Sequence, residues 1–437
     1  MFTGARDYDV IIVGGRPAGS SLAARLGAAG MRVLLLERAK LPSLPGASSP
    51  IIYASVMSLL DEIGADEAAY AFNTPKLRYM VNESPGMQMR LRIPMAYGRD
   101  YAYAIDRARF DDTLFHNAAR CNTVTAWDGF SVTDLVWHDD QVIGVIGSGA
   151  DKQALTLTAD LVVGADGRFS TIARKVNAAT VDAVTDHPTS LLYAYWRGAA
   201  LSQEPCATAY GENNGYGLLV MDSADDTLCV CIEGRADLLE SGGDAEKHYL
   251  DLIRKAKPVW HRVEHAEMVT KVRGMRKVGN LYRTPGGKGW ALVGDAYHQK
   301  DPIDGQGIYD AVLSAKLLSQ AIMMARSGEQ KWEDALTWYD TQVRAETFEM
   351  YQSTLERVRG ALYSDMPEWL VKLGSMTFAR WLLEDTLVQE RMGLMLVRKV
   401  PPRDAVTLPV TIGALLRGPL RDLSKRLDAE IERIPAK

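Results

Sequence analysis

Three glycine-centred turns carry the most specific chemistry in this sequence. The first reads Gly14-Gly15-Arg16-Pro17-Ala18-Gly19 and lies between an apolar run, Asp9–Val13, and a stretch with helical apolar spacing, Ser20–Ala29. Glycines at a strand-to-helix turn allow a tight bend and close helix packing, and the backbone N–H groups at the helix start can receive a pyrophosphate. A second strand, Arg32–Glu37, follows Gly30, and its terminal Glu37, with Arg38 beside it, stands where a carboxylate accepts hydrogen bonds from a ribose diol. The same carboxylate would repel a free adenosine 2′-phosphate. The middle glycine of the usual Gly-x-Gly-x-x-Gly pattern is replaced here by Arg16.

The second turn is Leu161-Val-Val-Gly-Ala-Asp166-Gly167-Arg-Phe-Ser-Thr-Ile-Ala-Arg174, a strand followed by a glycine turn and a helix. The third runs Gly289-Trp-Ala-Leu-Val-Gly294-Asp295-Ala-Tyr-His298 and then Gln-Lys-Asp-Pro302-Ile-Asp-Gly305-Gln306-Gly307, again a strand, an acidic turn and a helix start. Each turn alone is a common loop. Their order and separation, with Glu37 beside the first, set them apart from coincidence.

The elements that must position these turns follow from periodicity. Strand, turn, helix and strand in succession from residue 9 predict a parallel sheet with a crossover helix. Val132–Val136, Gln141–Ser148 and Ala154–Leu157 predict a small antiparallel patch that feeds back into the main sheet through the buried strand Leu161–Gly164. Alternating segments at Leu191–Trp196, Tyr216–Val220 and Thr227–Glu233 predict an inserted antiparallel sheet, the substrate unit. The sequence turns helical from Gly307 onward, and Val406–Leu427 reads as a packed terminal helix, partly amphipathic and interrupted by Pro409, Gly413 and Pro419.

Composition narrows the function classes. The chain has 437 residues, 47% hydrophobic and 24% charged, which suits several packed units and rules out global disorder. Lysine plus arginine is 50 against 55 acidic residues, a net charge of −5 without a basic stripe, so nucleic acid is not an expected partner. No run approaches the roughly 18 consecutive apolar residues of a spanning helix. Four cysteines without a Cys-x-x-Cys pair fit a reducing cytoplasm. His261 and His265 are spaced like a metal pair but lack the completing acid, and no metal site is expected.

Taken together, the three turns resemble those of the FAD-dependent aromatic monooxygenases of the single-component type and their relatives, the flavin-dependent halogenases and geranylgeranyl reductases, over roughly residues 7–325. The resemblance implies an α/β fold: a Rossmann-like FAD-binding domain of the p-hydroxybenzoate hydroxylase kind with an inserted antiparallel-sheet substrate domain and a helical C-terminal region. The FAD unit would comprise residues 1–75, 98–180 and 276–330, the substrate unit 76–97 and 181–275, and the helical region 331–437. It also implies that Gly14, Arg16, Pro17, Ala18 and Gly19 hold the FAD pyrophosphate and that Glu37 and Arg38 sit at the adenosine ribose. Asp166 and Gly167 would touch FAD and nicotinamide, Gly294 and Asp295 the ribityl chain. Pro302, Gly305, Gln306 and Gly307 would face the flavin, with helix amides at its pyrimidine edge. Arg107, opening the segment Ala104–Leu114, matches an arginine that lies near the cofactor in that family.

The helix-start contact also stands on physics alone: reduced flavin carries negative charge on its pyrimidine side, and a helix N-terminus stabilises an anion. No second nucleotide-binding unit is visible, so NAD(P)H is expected to dock transiently as electron donor, or a separate reductase to supply electrons. The expected reaction is hydroxylation of an aromatic or polycyclic small molecule with O2 through a flavin hydroperoxide. His298 and Tyr309 are the candidate catalytic residues, either able to bind or deprotonate a phenol, and Tyr193, Tyr195 and Arg197 are candidates for the substrate floor. A homodimer is compatible with the sequence. The halogenases' Trp-x-Trp segment is absent, which makes halogenation the less expected reaction. Tyr309 to Ala311 stand where many hydroxylases carry an Asn and a Gly, which favours a reductase or dehydrogenase of a hydrophobic, prenyl-like substrate as the rival reading. A non-catalytic flavin sensor is the third.

Overall fold

The apolar run Tyr8–Val13 forms a central strand of a parallel sheet in the computed structural model, which describes residues 6–46, 48–84, 87–212, 215–240, 243–363 and 376–431. Val10 lies beside Val33 on one side and Leu161 on the other, and Val162 lies beside Trp290. The strand order is Gly286–Gly287, Trp290–Leu292, Ala154–Gly164, Tyr8–Val13, Val33–Glu37, Val124–Asp128. Val10 to Val13 and Val33 to Leu36 are buried without alternation, as a parallel sheet covered on both faces requires. The helices Pro17–Ala28 and Gly307–Ser327 place Leu22, Leu26, Leu318 and Ile322 in the same core. The first half of Ala154–Gly164 pairs antiparallel with Gln141–Ser148, which pairs with Ser131–His138, so the expected antiparallel patch does run back into the main sheet.

The second sheet is ordered Glu267–Met268, Thr189–Arg197, Thr227–Arg235, Tyr216–Asp222, Cys206–Glu212, Tyr79–Ser84, Met87–Arg92, with Arg273–Met275 also on the first long strand. All pairings are antiparallel except Cys206–Glu212 with Tyr79–Ser84. The two-residue period of a strand splits the side chains between two faces. Ala194, Trp196, Val230 and Ile232 meet Tyr249, Leu252, Ile253 and Val259 from the helices Ala245–Lys255 and Lys257–Val263. Tyr193, Tyr195, Cys229 and Cys231 face the other way and join Tyr53, Phe110, Ile308 and Tyr309 of the first unit.

The helix Trp332–Leu362 inserts Trp332, Leu336, Tyr339, Val343 and Tyr351 into the core of the parallel sheet. The start of the region expected as a separate helical unit is therefore integral to the nucleotide-binding fold, because its apolar residues recur three and four apart on one helix face. The helix Thr386–Leu396 packs on the edge of the second sheet, where Gly393 abuts Pro94. The terminal helix Leu408–Ile431 buries Val410 and Ala414 against Val388 and exposes Leu408, Ile412, Leu416, Leu420 and Leu423. Among the described residues one helix, Gly307–Ser327, is long and apolar enough to cross a membrane by composition. Sequence inspection for an unbroken apolar run passes over it. Its burial against the sheet accounts for that composition.

Candidate active site

The first turn is built around backbone that leaves no room for side chains. Gly14 has φ +110°, and a Cβ there would lie 2.3 Å from the Ala165 carbonyl oxygen; one on Gly19 would lie 1.8 Å from the Gly14 carbonyl oxygen. Pro17 and Ala18 open the helix and are buried. Glu37 accepts from Gly15 N–H at 2.8 Å through Oε2 and from Ala39 N–H at 3.0 Å through Oε1. An ionised carboxylate has about four acceptor positions, so acceptor capacity remains for a ribose diol. Arg38 is exposed beside it.

Arg16 is the N-cap of this helix with φ −91°, a conformation open to any residue, so the fold tolerates the lost glycine. Its Nη1 donates to Asp111 Oδ2 at 2.5 Å and to Ser43 O at 3.1 Å, and its Nη2 donates to Ser43 Oγ at 3.1 Å. Asp111 is wholly buried and also receives Arg107 Nε at 3.2 Å and Nη2 at 2.9 Å. Arg107 Nη1 is buried with no hydrogen-bond partner. Arg16 and Arg107 share Asp111 as counter-charge, and one Arg107 donor stays free. That free donor and the glycine cradle fit an anionic dinucleotide. Arg109 instead bonds Phe72 O and Asp225 at the periphery.

Asp166 accepts from Ser170 Oγ at 2.5 Å and Thr171 N–H at 2.6 Å, which caps the helix Thr171–Lys175; burial pushes this carboxyl up from its ordinary range. Gly167 follows with φ +78°. Asp295 is about one third exposed and pairs with Arg168 at 3.0 Å, while Gly294 N–H donates to Ser314 Oγ at 3.1 Å. Pro302 opens a short helical turn that ends at Gly305, φ +67°, and Gln306 caps the long helix that starts at Gly307, an exposed glycine with open space beside its α-carbon. A helix N-terminus of 21 residues, unobstructed at its first position, suits the pyrimidine edge of a flavin.

Tyr193, Tyr195 and Tyr309 come together in one buried cluster. Tyr193 OH donates to Pro45 O at 3.2 Å, and the buried Tyr195 hydroxyl has no partner. Burial pushes the Tyr195 and Tyr309 phenols up, so both stay protonated. Arg197 is exposed at the strand end and is not brought to this cluster. His298 is not brought there either. It stacks on Tyr282 at 4.0 Å with Tyr351 on its flank; burial lowers its pKa to about 4, and neither ring nitrogen has a hydrogen-bond partner. The face of its short strand His298–Gln299, not its position in the motif, decides this.

Several buried groups escape sequence reasoning. Lys300 Nζ lies 2.8 Å from both Asp304 Oδ2 and Asp310 Oδ2, and Arg398 Nη2 donates to Asp310 Oδ1 at 3.3 Å. The wholly buried Asp301 accepts from Thr189 Oγ1 and from Ile303 N–H at 3.0 Å. Glu233, on the sheet face of Cys231, reaches the Asp301 carboxylate; burial and that neighbouring charge hold Glu233 well above the usual carboxylate range.

Residues 7–353 match the family described as FAD binding domain. Among curated relatives, a tryptophan 2-halogenase of Chondromyces crocatus is 25% identical over 76% of this chain and 64% of its own length. The chain thus spans less than two thirds of that protein. A digeranylgeranylglycerophospholipid reductase of Methanosarcina mazei is 27% identical over 75% of this chain and 81% of its own. A 6-methylpretetramide 4-monooxygenase of Streptomyces rimosus is 29% identical over 70% and 73%. The solved structure of a flavin-dependent brominase superposes with a TM-score of 0.74 at 17% identity, covering 96% of this chain and 99% of that one, a likeness of fold.

Proposed function

The chain belongs to the FAD binding domain family, an FAD-dependent oxidoreductase family, and from that premise we propose that it is a monooxygenase hydroxylating an aromatic or polycyclic small molecule with O2 and NAD(P)H. The observation that carries this reading is the buried cluster that joins Tyr193 and Tyr195 of the second sheet to Ile308 and Tyr309 in the first turn of the helix Gly307–Ser327. FAD, held by the Gly14–Gly19 turn and the Gly307 helix start, would supply the redox chemistry that links NAD(P)H to dioxygen.

The chain's own residues bind, orient and exclude water. The Gly14–Gly19 turn and helix amides hold the pyrophosphate, the Arg107 Nη1 proton is free for an oxygen acceptor, and the Gly307 amide end stabilises negative charge on the reduced ring. The Tyr195 and Tyr309 hydroxyls, kept protonated by burial, donate hydrogen bonds to a phenolic oxygen and hold its ring in place. The apolar lining keeps water away from the reacting atoms. His298, neutral and enclosed by Tyr282 and Tyr351, lies outside that tyrosine cluster, with its Nε2 3.8 Å from Asp310 Oδ2. Four unpaired cysteines favour a reducing compartment such as the cytoplasm.

Tyr309 and Ala311, in place of an Asn and a Gly, favour a second reading as a reductase of a hydrophobic substrate. Incubating the flavin-loaded protein with NAD(P)H, a panel of phenols and polycyclic aromatics, and isotopically labelled dioxygen separates the two. Label in a product supports hydroxylation. Turnover that proceeds equally well without oxygen supports the reductase.

A further inference from the structure

Arg398 lies well beyond residues 7–353, the part of the chain that matches the family, yet it reaches the start of the helix Gly307–Ser327. Its Nε donates to Gln306 Oε1 at 3.1 Å and its Nη2 to Asp310 Oδ1 at 3.3 Å. Gln306 Nε2 returns a bond to Leu396 O at 2.9 Å, so the amide is held from both sides by the same segment. The guanidinium lies 4.7 Å from the centroid of the Tyr309 ring. Only 8% of the Arg398 side chain is exposed, and its backbone sits at φ +59°, a region side chains rarely adopt. The segment preceding it is anchored independently, by Gly393 against Pro94; the one following it is anchored by Arg403 N–H donating to Glu349 at 2.7 Å.

Charge makes the contact specific. Asp304 and Asp310 are buried carboxylates, and Lys300 and Arg398 are the two buried cations paired with them. Removing Arg398 leaves one negative charge in excess within the first turn of the helix whose N–H groups face the flavin position.

We propose that Arg398 is a positioning residue of the flavin site, fixing the Gly305–Gly307 turn through Gln306 and Asp310 and balancing the buried carboxylates there. The C-terminal segment is thereby part of the flavin site, not an appendage to it. The proposal rests on the flavin reading and is independent of which reaction the flavin serves.

The test compares FAD binding, by flavin fluorescence on titrating the deflavinated protein, and the flavin midpoint potential, in wild type, R398A, R398K, R398Q and E349A. R398A is expected to weaken FAD binding about ten-fold, as loss of a charge-assisted contact does, and to move the potential to more negative values, because excess negative charge disfavours the reduced anion. R398K restores the charge and so the potential, but not the forked geometry, so affinity recovers only in part. E349A, which loosens the same segment without touching Gln306, leaves both values as in wild type. Should R398A fail to fold, R398Q keeps a polar side chain without the charge and shows the same negative shift. A wild-type potential in R398A or R398Q, or an E349A variant that matches R398A, overturns the proposal. A protein that takes up FAD and shows these shifts but never oxygenates a substrate contradicts the monooxygenase reading and leaves this one standing.

Discussion

Arg16 Nη1 lies 2.5 Å from Asp111 Oδ2, and so the residue that replaces a family glycine holds a wholly buried carboxylate that in turn fixes Arg107. Asp111 is the shared counter-charge of two arginines. D111N should therefore cost about 3–5 kcal/mol, the penalty for leaving buried charge unpaired. R16G, which leaves Asp111 paired with Arg107, should cost about 1–2 kcal/mol. Urea unfolding of both variants checks the order; equal losses would show that Arg16 and Arg107 are not distinct partners.

Gly19→Ala places a methyl carbon 1.8 Å from the Gly14 carbonyl oxygen, with no flexible side chain to give way. The turn must open, and the amides that would receive the pyrophosphate move apart. The variant is expected to elute from gel filtration without flavin absorbance. Gly360→Ala, at an exposed position of the helix Trp332–Leu362 with open space around it, should keep its flavin.

His298 gives stability a defined pH dependence. Its pKa falls from 6.5 to about 4 in the fold, so the unfolded chain binds the extra proton between those values. Stability from this group is full above about pH 6.5 and is lost as the pH falls toward 4, by about 3 kcal/mol in total. H298F, which preserves the stack on Tyr282, should flatten that window in urea midpoints measured from pH 4 to 8. The pH profile of turnover should likewise lack a histidine step near 6.5; such a step, removed by H298F, would restore His298 as an acid–base group.

Glu233 works in the opposite sense. Burial and the Asp301 carboxylate raise its pKa, so its neutral form stabilises the fold below the ordinary Glu range and that contribution is lost as the pH rises through the elevated value. E233Q keeps a neutral donor toward Asp301 and should resist urea better than wild type at pH 9 while matching it at pH 5. A wild-type response at both pH values would mean that Glu233 is ionised in the fold.

Much of this arrangement was legible in the sequence because it is local. The three turns, Glu37 at the end of its strand, and the alternation of Tyr193 and Tyr195 are each set by residues within one element. What was not legible depends on contacts across the chain. Arg16 read as a defect in a fingerprint because its partner Asp111 lies on the helix Arg107–Ala119. The stacking of His298 on Tyr282, away from the tyrosine cluster, was hidden because motif spacing does not say which side of a two-residue strand a ring takes. Glu233 and Arg398 carried no pattern at all; the first acquires its role from Asp301 and the second from Gln306. The parallel pairing of Cys206–Glu212 with Tyr79–Ser84 was equally hidden, since nothing local distinguishes a parallel neighbour from an antiparallel one.

The most direct test of the central claim is to reduce the FAD-loaded protein without oxygen, mix it with oxygenated buffer and aromatic candidates, and follow the flavin absorbance on the millisecond scale. A monooxygenase gives a transient spectrum distinct from both the reduced and the oxidised forms, with a substrate-dependent decay. A single-step return to oxidised flavin across the whole panel would contradict the account.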